Sequence, residues 1–321
     1  MQRRDFITTI GAAFVAASVA PGAHAQTTAL SVVATTGMIA DTARRVGGDL
    51  VAVTALMGPG VDPHAYRQTR TDILAMARAD LVLWNGLYLE AQMEDFFADL
   101  GRKVAISAVG ESVPADDLIS HDDYELRFDP HVWMDPTLWT HAVTAVRDAM
   151  SEAAPDLAEQ FDANATAYIA ELTRLADYAQ TSLASVPESA RVLITAHDAF
   201  NYFGRAYGFE VIGIQGISTD SEAGVNRISK LVDMIVTRKI AAVFVESSVS
   251  DRSIRALVEG AAAQGHDLKI GGELFSDAMG APGTYEGTYL GMIDHNATTI
   301  TTALGGTAPM RGLNGLLSAG S

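Results

Sequence analysis

Short, continuously apolar runs alternate with helical patterns along the first half of the chain. The runs lack the alternation of apolar and polar residues that is typical of a sheet with one solvent-exposed face. They therefore predict parallel strands covered on both sides. Apolar residues at helical spacing between the runs predict the covering helices, and the whole predicts an α/β lobe. The predicted strands cover residues 31–35, 51–57, 80–84 and 104–107, and the predicted helices cover 38–46, 71–78 and 89–100.

The same alternation returns in the second half of the chain and predicts a second βα lobe of similar size, without a clear sequence repeat between the two. Parallel sheets are again expected, because the runs are apolar throughout. The predicted strands cover residues 191–195, 211–214, 240–245 and 268–270, and the predicted helices cover 200–207, 224–238, 252–263 and 289–304.

One long helical pattern at 155–185 separates the two lobes. Its apolar residues recur every three or four positions, which places them on one helical face. Pro155 suits a first helical turn and Pro187 suits termination. At about 1.5 Å per residue the helix would be roughly 45 Å long. We interpret it as a rigid strut that contacts both lobes; the alternative is a long surface helix of one large domain. The apolar positions are Leu157, Phe161, Ala165, Tyr168, Leu172, Leu175, Ala179 and Leu183.

The first 25 residues are typical of an export signal. Arg3 and Arg4 precede an apolar stretch at 7–20, and Ala23-His24-Ala25 has the form of a cleavage site. The adjacent arginines followed by D-F-I also fit a twin-arginine signal, and an ordinary secretory signal is the alternative. The predicted division is therefore a signal peptide at 1–25, an N-terminal lobe at 26–154, a linking helix at 155–186 and a C-terminal lobe at 187–321.

Composition excludes several kinds of chemistry. The chain has no cysteine, which removes thiolate catalysis, thiolate zinc sites and disulfides, so any metal must be held by histidine nitrogen and carboxylate oxygen. The absence of cysteine at the cleavage point also predicts a protein without a lipid anchor, soluble outside the cytoplasm. A formal charge of −17, from 39 acidic and 22 basic residues, argues against binding to nucleic acid or anionic membrane. The phosphate-binding, HExxH and GxSxG motifs are absent, and Pro63 breaks the dinucleotide fingerprint that begins at Gly58.

Three histidines lie in similar contexts. His64 follows the predicted strand 51–57, His197 follows the strand 191–195, and His131 lies between an acidic segment and the next helix. Ligands of open α/β sheets bind beyond the carboxyl ends of strands. Asp277 lies just past the last strand of the second lobe. Three imidazoles and one carboxylate would complete a site for a divalent transition metal, although each histidine taken singly is more often a capped or core residue.

Seven short motifs follow one another along the chain. They are D-P-H-x-Y at 62–66, N-G-L-x-L-E at 85–90, D-P-H-x-W-x-D-P at 129–136, H-D-A-F-x-Y-F at 197–203, G-I-S-T at 216–219, Ser276-Asp277 and Thr288-Tyr289. In this order they resemble the zinc/manganese-type substrate-binding proteins of ABC metal importers (cluster A-I, bacterial solute-binding protein family 9). The resemblance covers essentially the whole mature chain. It implies the ligands His64, His131, His197 and Asp277, and two lobes joined by a long rigid helix with the metal between them.

The resemblance also implies the biological role. The cargo would be Mn²⁺ or Zn²⁺, and the partners a membrane permease and its cytoplasmic ATPase; a monomer is expected. Strongly manganese-selective members often have Glu where this chain has His197, so the ligand set leaves the choice between the two metals open. Zinc members often carry a long His-rich loop. Here the segment 116–129 contains only His121 among six acidic residues, and a solvated acidic loop is favoured over a loose cation collector.

Two other functions fit the same residues. An exported metal-dependent hydrolase would use three histidines, one carboxylate and a catalytic water. An adhesin-like surface protein could use the same fold without transport. Four protein ligands argue against catalysis because they leave no coordination position for a substrate water. We therefore expect a binding protein rather than an enzyme.

Several neighbouring residues have two interpretations each. Glu246 could orient a ligand histidine or bond a loop backbone. Asp135 and Asp198 flank the predicted ligands and could cap the following helices. The aromatic residues could shield the site or serve as core; they are Trp133, Phe200 and Tyr202.

Overall fold

The computed structural model describes residues 29–120, 127–219, 221 and 223–318. The predicted signal peptide at 1–25 lies outside these residues, and so does His121 of the acidic segment. Within the part of the chain that the structure describes, no helix is long and apolar enough to cross a bilayer.

The first half forms one parallel sheet. Its strands are β1 (Leu30–Ala34), β2 (Val51–Ala55), β3 (Leu81–Trp84) and β4 (Ala105–Ala108), and its helices are α1 (Gly37–Gly47), α2 (Arg70–Arg78), α3 (Glu94–Leu100) and α4 (Pro136–Ala153). The strand order is β2-β1-β3-β4, and all three pairs are parallel. β1 and β3 are almost wholly buried, as expected for inner strands with helices on both faces.

The second half repeats the alternation of strand and helix. Its strands are β5 (Val192–Thr195), β6 (Glu210–Gly213), β7 (Ala242–Glu246) and β8 (Lys269–Leu274), and its helices are α6 (Asn201–Tyr207), α7 (Val225–Arg238), α8 (Arg252–Ala263) and α9 (Tyr289–Ala303). The strands pair two by two, β5 with β6 and β7 with β8, both in parallel, and β5 lies beside β7. The predicted α/β class with parallel sheets in two lobes is confirmed.

The register of β7 and β8 shifts between Val243 and Val245. Phe244 stands opposite Gly271 and Gly272, and a side chain at Gly271 would lie 2.7 Å from the Phe244 ring. An irregular pair of this kind redirects the strand end. β8 is accordingly longer than the predicted strand 268–270 and carries the chain toward Asp277.

The long central pattern folds as a short 3₁₀ turn (Pro155–Leu157) followed by α5 (Ala158–Ala184). α5 packs against α1 and α4 of the first half and against α6 and α9 of the second. Seven of its eight predicted apolar positions are buried, and Leu157, in the preceding turn, is half-buried. They belong to one continuous hydrophobic core that includes residues of both halves, so α5 holds the two lobes together.

Two helices differ from the sequence pattern. The predicted helix 89–100 is a 3₁₀ turn (Ala91–Met93) followed by the shorter α3, because the preceding residues fold around the buried Glu90. α4 begins with Pro136, and the side chain of Asp135 accepts a hydrogen bond from the backbone N–H of Thr137 at 2.8 Å. Asp135 is therefore a helix cap, one of its two predicted roles.

Candidate metal centre

The four residues predicted as ligands lie together between the lobes. His64 follows β2, His131 precedes α4 through a 3₁₀ turn (Val132–Met134), His197 follows β5 and Asp277 follows β8. Their exposed fractions are 4%, 0%, 0% and 2%. One nitrogen or oxygen from each lies within 4.8 Å of the others. We call these residues the four-residue cluster.

A repeated local turn presents two of the histidines. In both D-P-H motifs the aspartate accepts a hydrogen bond from the histidine backbone N–H, at 2.8 Å for Asp62 and His64 and at 2.9 Å for Asp129 and His131. A compact turn forms when an aspartate side chain accepts a hydrogen bond from the backbone N–H two residues later in the chain. The proline between them fixes one of the backbone angles. The short motif therefore folds the same way in two unrelated loops.

Asp129 also orients the imidazole of His131. Its Oδ1 lies 2.7 Å from Nδ1 of His131, while its Oδ2 accepts a hydrogen bond from Asn201 at 3.1 Å. The hydroxyl of Tyr202 donates to the backbone oxygen of Asp129 at 2.8 Å. With Nδ1 engaged, Nε2 of His131 faces the cluster. Sequence reasoning assigned Asp129 no role of its own, although its place two residues before a histidine was the signal.

Glu246, the last residue of β7, holds His197 at two points. Its Oε2 lies 2.6 Å from Nδ1 of the ring, and its Oε1 accepts a hydrogen bond from the backbone N–H of His197 at 2.9 Å. The backbone hydrogen bond is the predicted attachment of the loop. The short distance from the carboxylate to Nδ1 supports the other predicted role, orientation of the imidazole. Nε2 of His197 is left facing Asp277.

The remaining nitrogens converge on the carboxylate of Asp277. Nε2 of His131 lies 3.4 Å from Oδ1, and Nε2 of His197 lies 3.2 Å from Oδ2. Nε2 of His64 lies 3.2 Å from Nε2 of His131. Neither oxygen of Asp277, nor Nε2 of His197, makes an aligned hydrogen bond with any residue that the structure describes. Buried polar atoms normally have such partners, so unpaired donor atoms that all lie within 4.8 Å of one another fit a site for a cation.

One of the three aromatic residues, Trp133, lies beside the cluster. The Trp133 indole donates from Nε1 to the backbone oxygen of Ser276 at 2.8 Å, and its ring centroid lies 5.2 Å from that of His131. Phe200 and Tyr202 are fully buried. Trp133 thus connects a loop of the first lobe to the loop that carries Asp277, while all three aromatic residues also belong to the main core.

Carboxylates raise the basicity of two histidines. Burial lowers the pKa of His131, but the charge and hydrogen bond of Asp129, together with Asp277, outweigh it and raise the pKa to about 9. Burial acts in the same direction on His197, yet Asp277 and Glu246 raise its pKa well above the usual range. Before an ion binds, both rings are therefore imidazolium cations, protonated on both nitrogens, at neutral pH.

The other two members of the cluster differ from this pair. Burial lowers the pKa of His64 to about 3, so its ring is neutral and available to a cation. Burial raises the pKa of Asp277, but His197 and His131 outweigh it and hold the pKa well below the ordinary value. Asp277 is therefore charged at every physiological pH and supplies one negative charge to a divalent ion.

Among the residues that the structure describes, no other histidine belongs to the cluster. His266 lies 2.6 Å from the backbone oxygen of Ile240, and His295 lies 2.8 Å from that of Glu273. The backbone N–H of Asp198 donates to the backbone oxygen of Gly216, while α6 starts after Phe200 without a side-chain cap, so the predicted capping role of Asp198 is wrong.

The site consists of three imidazole nitrogens and one carboxylate, buried between two α/β lobes with parallel sheets. This fold and this set of donors define a protein that binds a divalent transition metal. Residues 32–303 match the sequence model of the family described as the periplasmic component A of the zinc-uptake complex. The chain belongs to this family, which is defined by metal uptake and not by catalysis.

Individual relatives agree with the family. The chain is 50% identical over 275 residues to the manganese-binding lipoprotein MntA of Bacillus subtilis, covering 86% of this chain and 90% of the relative. It is 46% identical over 273 residues to the zinc-binding protein TroA of Treponema pallidum, covering 85% and 88%. The solved structure of the periplasmic zinc-binding protein TroA superimposes with a TM-score of 0.84 at 45% identity, over 86% of this chain and 99% of that one.

Proposed function

We propose that this protein captures Mn²⁺ or Zn²⁺ outside the cytoplasm and delivers the ion to the permease of an ABC importer, driven by a cytoplasmic ATPase. One observation carries the proposal: the fold gathers the buried donor atoms of the four-residue cluster around one point. Membership of a metal-uptake family supports it. The ion is cargo, held by His64, His131, His197 and Asp277 and released unchanged.

The choice between the two metals stays open in this proposal. The two similar relatives are named for manganese and for zinc, at 50% and 46% identity. A site of imidazole and carboxylate favours zinc over manganese in intrinsic affinity. Binding of Asp277 through both oxygens would add a ligand and suit manganese better. Competition between the two ions on the same protein would decide the matter.

Calorimetric titration of the metal-free protein tests capture. The wild type should bind one ion, and His64→Ala and Asp277→Asn should each reduce the affinity by at least about tenfold. His141→Ala is the matched control, since His141 lies on α4 away from the cluster, and it should bind like the wild type. Equal binding by wild type and Asp277→Asn would contradict the proposed ligand set.

Delivery requires a separate experiment in cells. Deletion of the gene should reduce uptake of labelled Mn²⁺ or Zn²⁺, and the wild-type gene, unlike the Asp277→Asn gene, should restore it. Elemental analysis of protein purified from its native compartment would identify the ion that is carried. Normal uptake in the deletion strain would contradict the role in import.

We further propose that the protein is a monomer and not an enzyme. A four-coordinate ion with four protein ligands has no position left for a reacting water. The metal-loaded protein should therefore show no hydrolysis of ester, peptide or phosphate substrates above that of Asp277→Asn. Light scattering of the purified protein checks the monomer.

The proposed lobes span 26–154 and 187–321 and are joined by the helix at 155–186, after a signal peptide at 1–25. Export to the periplasm is part of the proposal. Relatives such as MntA are named lipoproteins. The intact mass of the exported protein would reveal both the cleavage point and any lipid.

A further inference from the structure

The G-I-S-T motif at 216–219 has no part in holding the ion, yet the structure places it between two of the ligand loops. It follows β6, and its Gly216 accepts a hydrogen bond from the backbone N–H of Asp198 at 3.2 Å. Asp198 is the neighbour of His197. The motif is thereby attached to the ligand loop of the second lobe.

The other end of the motif reaches into the first lobe. The hydroxyl of Thr219 donates to Oδ2 of Asp62 at 2.5 Å, across 157 residues of sequence. The second oxygen of Asp62 accepts the backbone N–H of His64 at 2.8 Å. Both Asp62 and Thr219 are half-buried, so their hydrogen bond is partly shielded from competing water. A continuous bridge therefore links the His64 loop to the His197 loop without passing through the ion.

His64 differs from the other histidines in the way it is held. His131 is held from behind by Asp129, which is itself bonded to Asn201 and Tyr202 of the second lobe. Its neighbour Trp133 bonds the Ser276 backbone. His64 has no such carboxylate among the described residues, since Asp62 bonds its backbone N–H and not its ring.

A cavity marks the side of the cluster on which this bridge lies. It has a volume of about 210 Å³ and is lined by His64 together with Ile217 and Ser218 of the motif. The same space is bordered by Tyr88 and Pro130. The cavity therefore lies where the His64 loop meets the motif.

We propose that the hydrogen bond between Thr219 and Asp62 is a latch between the lobes that slows release of the bound ion by holding His64 against the second lobe. Thr219 is a positioning residue that acts through Asp62, because its hydroxyl bonds Asp62 and not a member of the four-residue cluster. The inference rests on the proposed function. It adds that the dissociation rate depends on a residue outside the cluster.

Two substitutions at one position separate the hydroxyl from the bulk of the side chain. Thr219→Val keeps the shape and removes the donor, whereas Thr219→Ser keeps the donor. Thr173→Val is the matched control, because Thr173 lies on the exposed face of α5 and its hydroxyl bonds only the backbone of Ile169. Melting of the metal-free proteins by circular dichroism checks that all three variants are folded.

The rates are measured with Zn²⁺, with the intrinsic tryptophan signal as the readout. Zn²⁺-loaded protein is mixed with excess chelator, at several chelator concentrations so that dissociation limits the rate, and association is followed separately by stopped flow. Zn²⁺ should dissociate from Thr219→Val about tenfold faster than from the wild type, the order expected for loss of a hydrogen bond to a charged acceptor. The association rate should change less than about twofold. Thr219→Ser and Thr173→Val should match the wild type.

Other results would overturn the latch. A dissociation rate for Thr219→Val within about twofold of the wild type would do so. The latch would also be contradicted if Zn²⁺ left Thr219→Ser as fast as it leaves Thr219→Val, or if Thr173→Val showed the same increase in dissociation rate. A wild-type protein that binds no Zn²⁺ at all would instead remove the proposed function, so the two failures are distinguishable.

Discussion

At the scale of single residues, the carboxylates behind the histidines control when the site can accept an ion. Asp129 and Glu246 each contact the Nδ1 of a ring and leave its Nε2 toward the cluster. The same contacts raise the pKa of His131 to about 9 and that of His197 well above its usual range. The carboxylate that orients each ring thus also stabilises an extra proton on it, and an arriving ion must displace that proton.

Metal affinity should therefore rise with pH through neutrality. A ligand nitrogen must be deprotonated, and the pKa of His131 in the metal-free protein is raised to about 9, so affinity falls as the pH drops below that value. His64 does not contribute to this dependence, because burial lowers its pKa to about 3. We expect release of about two protons per ion at pH 7, measured by calorimetry in buffers of different ionisation enthalpy. Equal affinity at pH 6 and pH 8 with no proton release would contradict this expectation.

Glu246→Gln tests the carboxylate behind His197. The amide has only one oxygen: when that oxygen accepts the backbone N–H of His197, the NH2 group takes the place of Oε2 and cannot accept a hydrogen bond from Nδ1. Metal affinity should fall about 10- to 100-fold although all four ligands remain. Glu273→Gln, an exposed carboxylate on the adjacent strand β8, is the control and should bind like the wild type. A wild-type affinity for Glu246→Gln would show that Glu246 only attaches the loop.

At the scale of elements, the loop between β3 and α3 depends on one buried carboxylate. Glu90 is fully buried and accepts hydrogen bonds from the Thr35 hydroxyl at 2.7 Å and from the backbone N–H groups of Asn85 and Gly86 at 2.8 and 3.2 Å. Burial raises its pKa from 4.5 to about 7, and these hydrogen bonds oppose the shift. Three donors around a buried carboxylate explain why the N-G-L-x-L-E motif forms a tight loop.

Glu90 should make the metal-free protein less stable as the pH rises. Its pKa is higher in the folded than in the unfolded protein, so it costs nothing below about pH 4.5 and its full cost of about 3 kcal/mol is reached above about pH 7. Glu90→Gln lacks this ionisation. The free energy of unfolding of the variant, relative to wild type, should rise across that interval in urea titrations. A difference that does not vary with pH would show that Glu90 keeps its ordinary pKa in the folded protein.

The helix α5 should stabilise the fold without affecting the ion. Leu172 is completely buried in the core that it shares with both lobes. Leu172→Ala should lower the free energy of unfolding of the metal-free protein by about 2–5 kcal/mol. Affinity for Zn²⁺ should stay within about threefold, because α5 supplies no ligand. A large loss of affinity in the folded variant would mean that α5 also sets the position of the lobes at the site.

The local sequence pattern was sufficient to predict most of the helices and strands. The apolar stripe of α5 was predictable because a 3.6-residue period is a local property. The shortened α3 was not, because the bonds of Glu90 replace helical ones in the residues before it. The pairing of β7 with β8 and its irregular register depend on Phe244 meeting Gly271, a contact between distant segments that no local pattern contains.

At the scale of the whole molecule, the site exists only because folding joins segments that are far apart in sequence. His64 and His131 are separated by 67 residues, and their Nε2 atoms lie 3.2 Å apart. No spacing rule predicts that approach, and the expectation that they meet came from the resemblance. The continuous core around α5 then fixes the two lobes, so the donor atoms are positioned before the ion arrives.

X-ray absorption spectroscopy of the Zn²⁺-loaded protein tests the central claim most directly. We expect one ion per chain, with nitrogen and oxygen ligands at about 2.0–2.2 Å and outer-shell scattering from three imidazoles, reduced to two in His131→Ala. Scattering from oxygen alone, or an imidazole signal that His131→Ala leaves unchanged, would contradict the account.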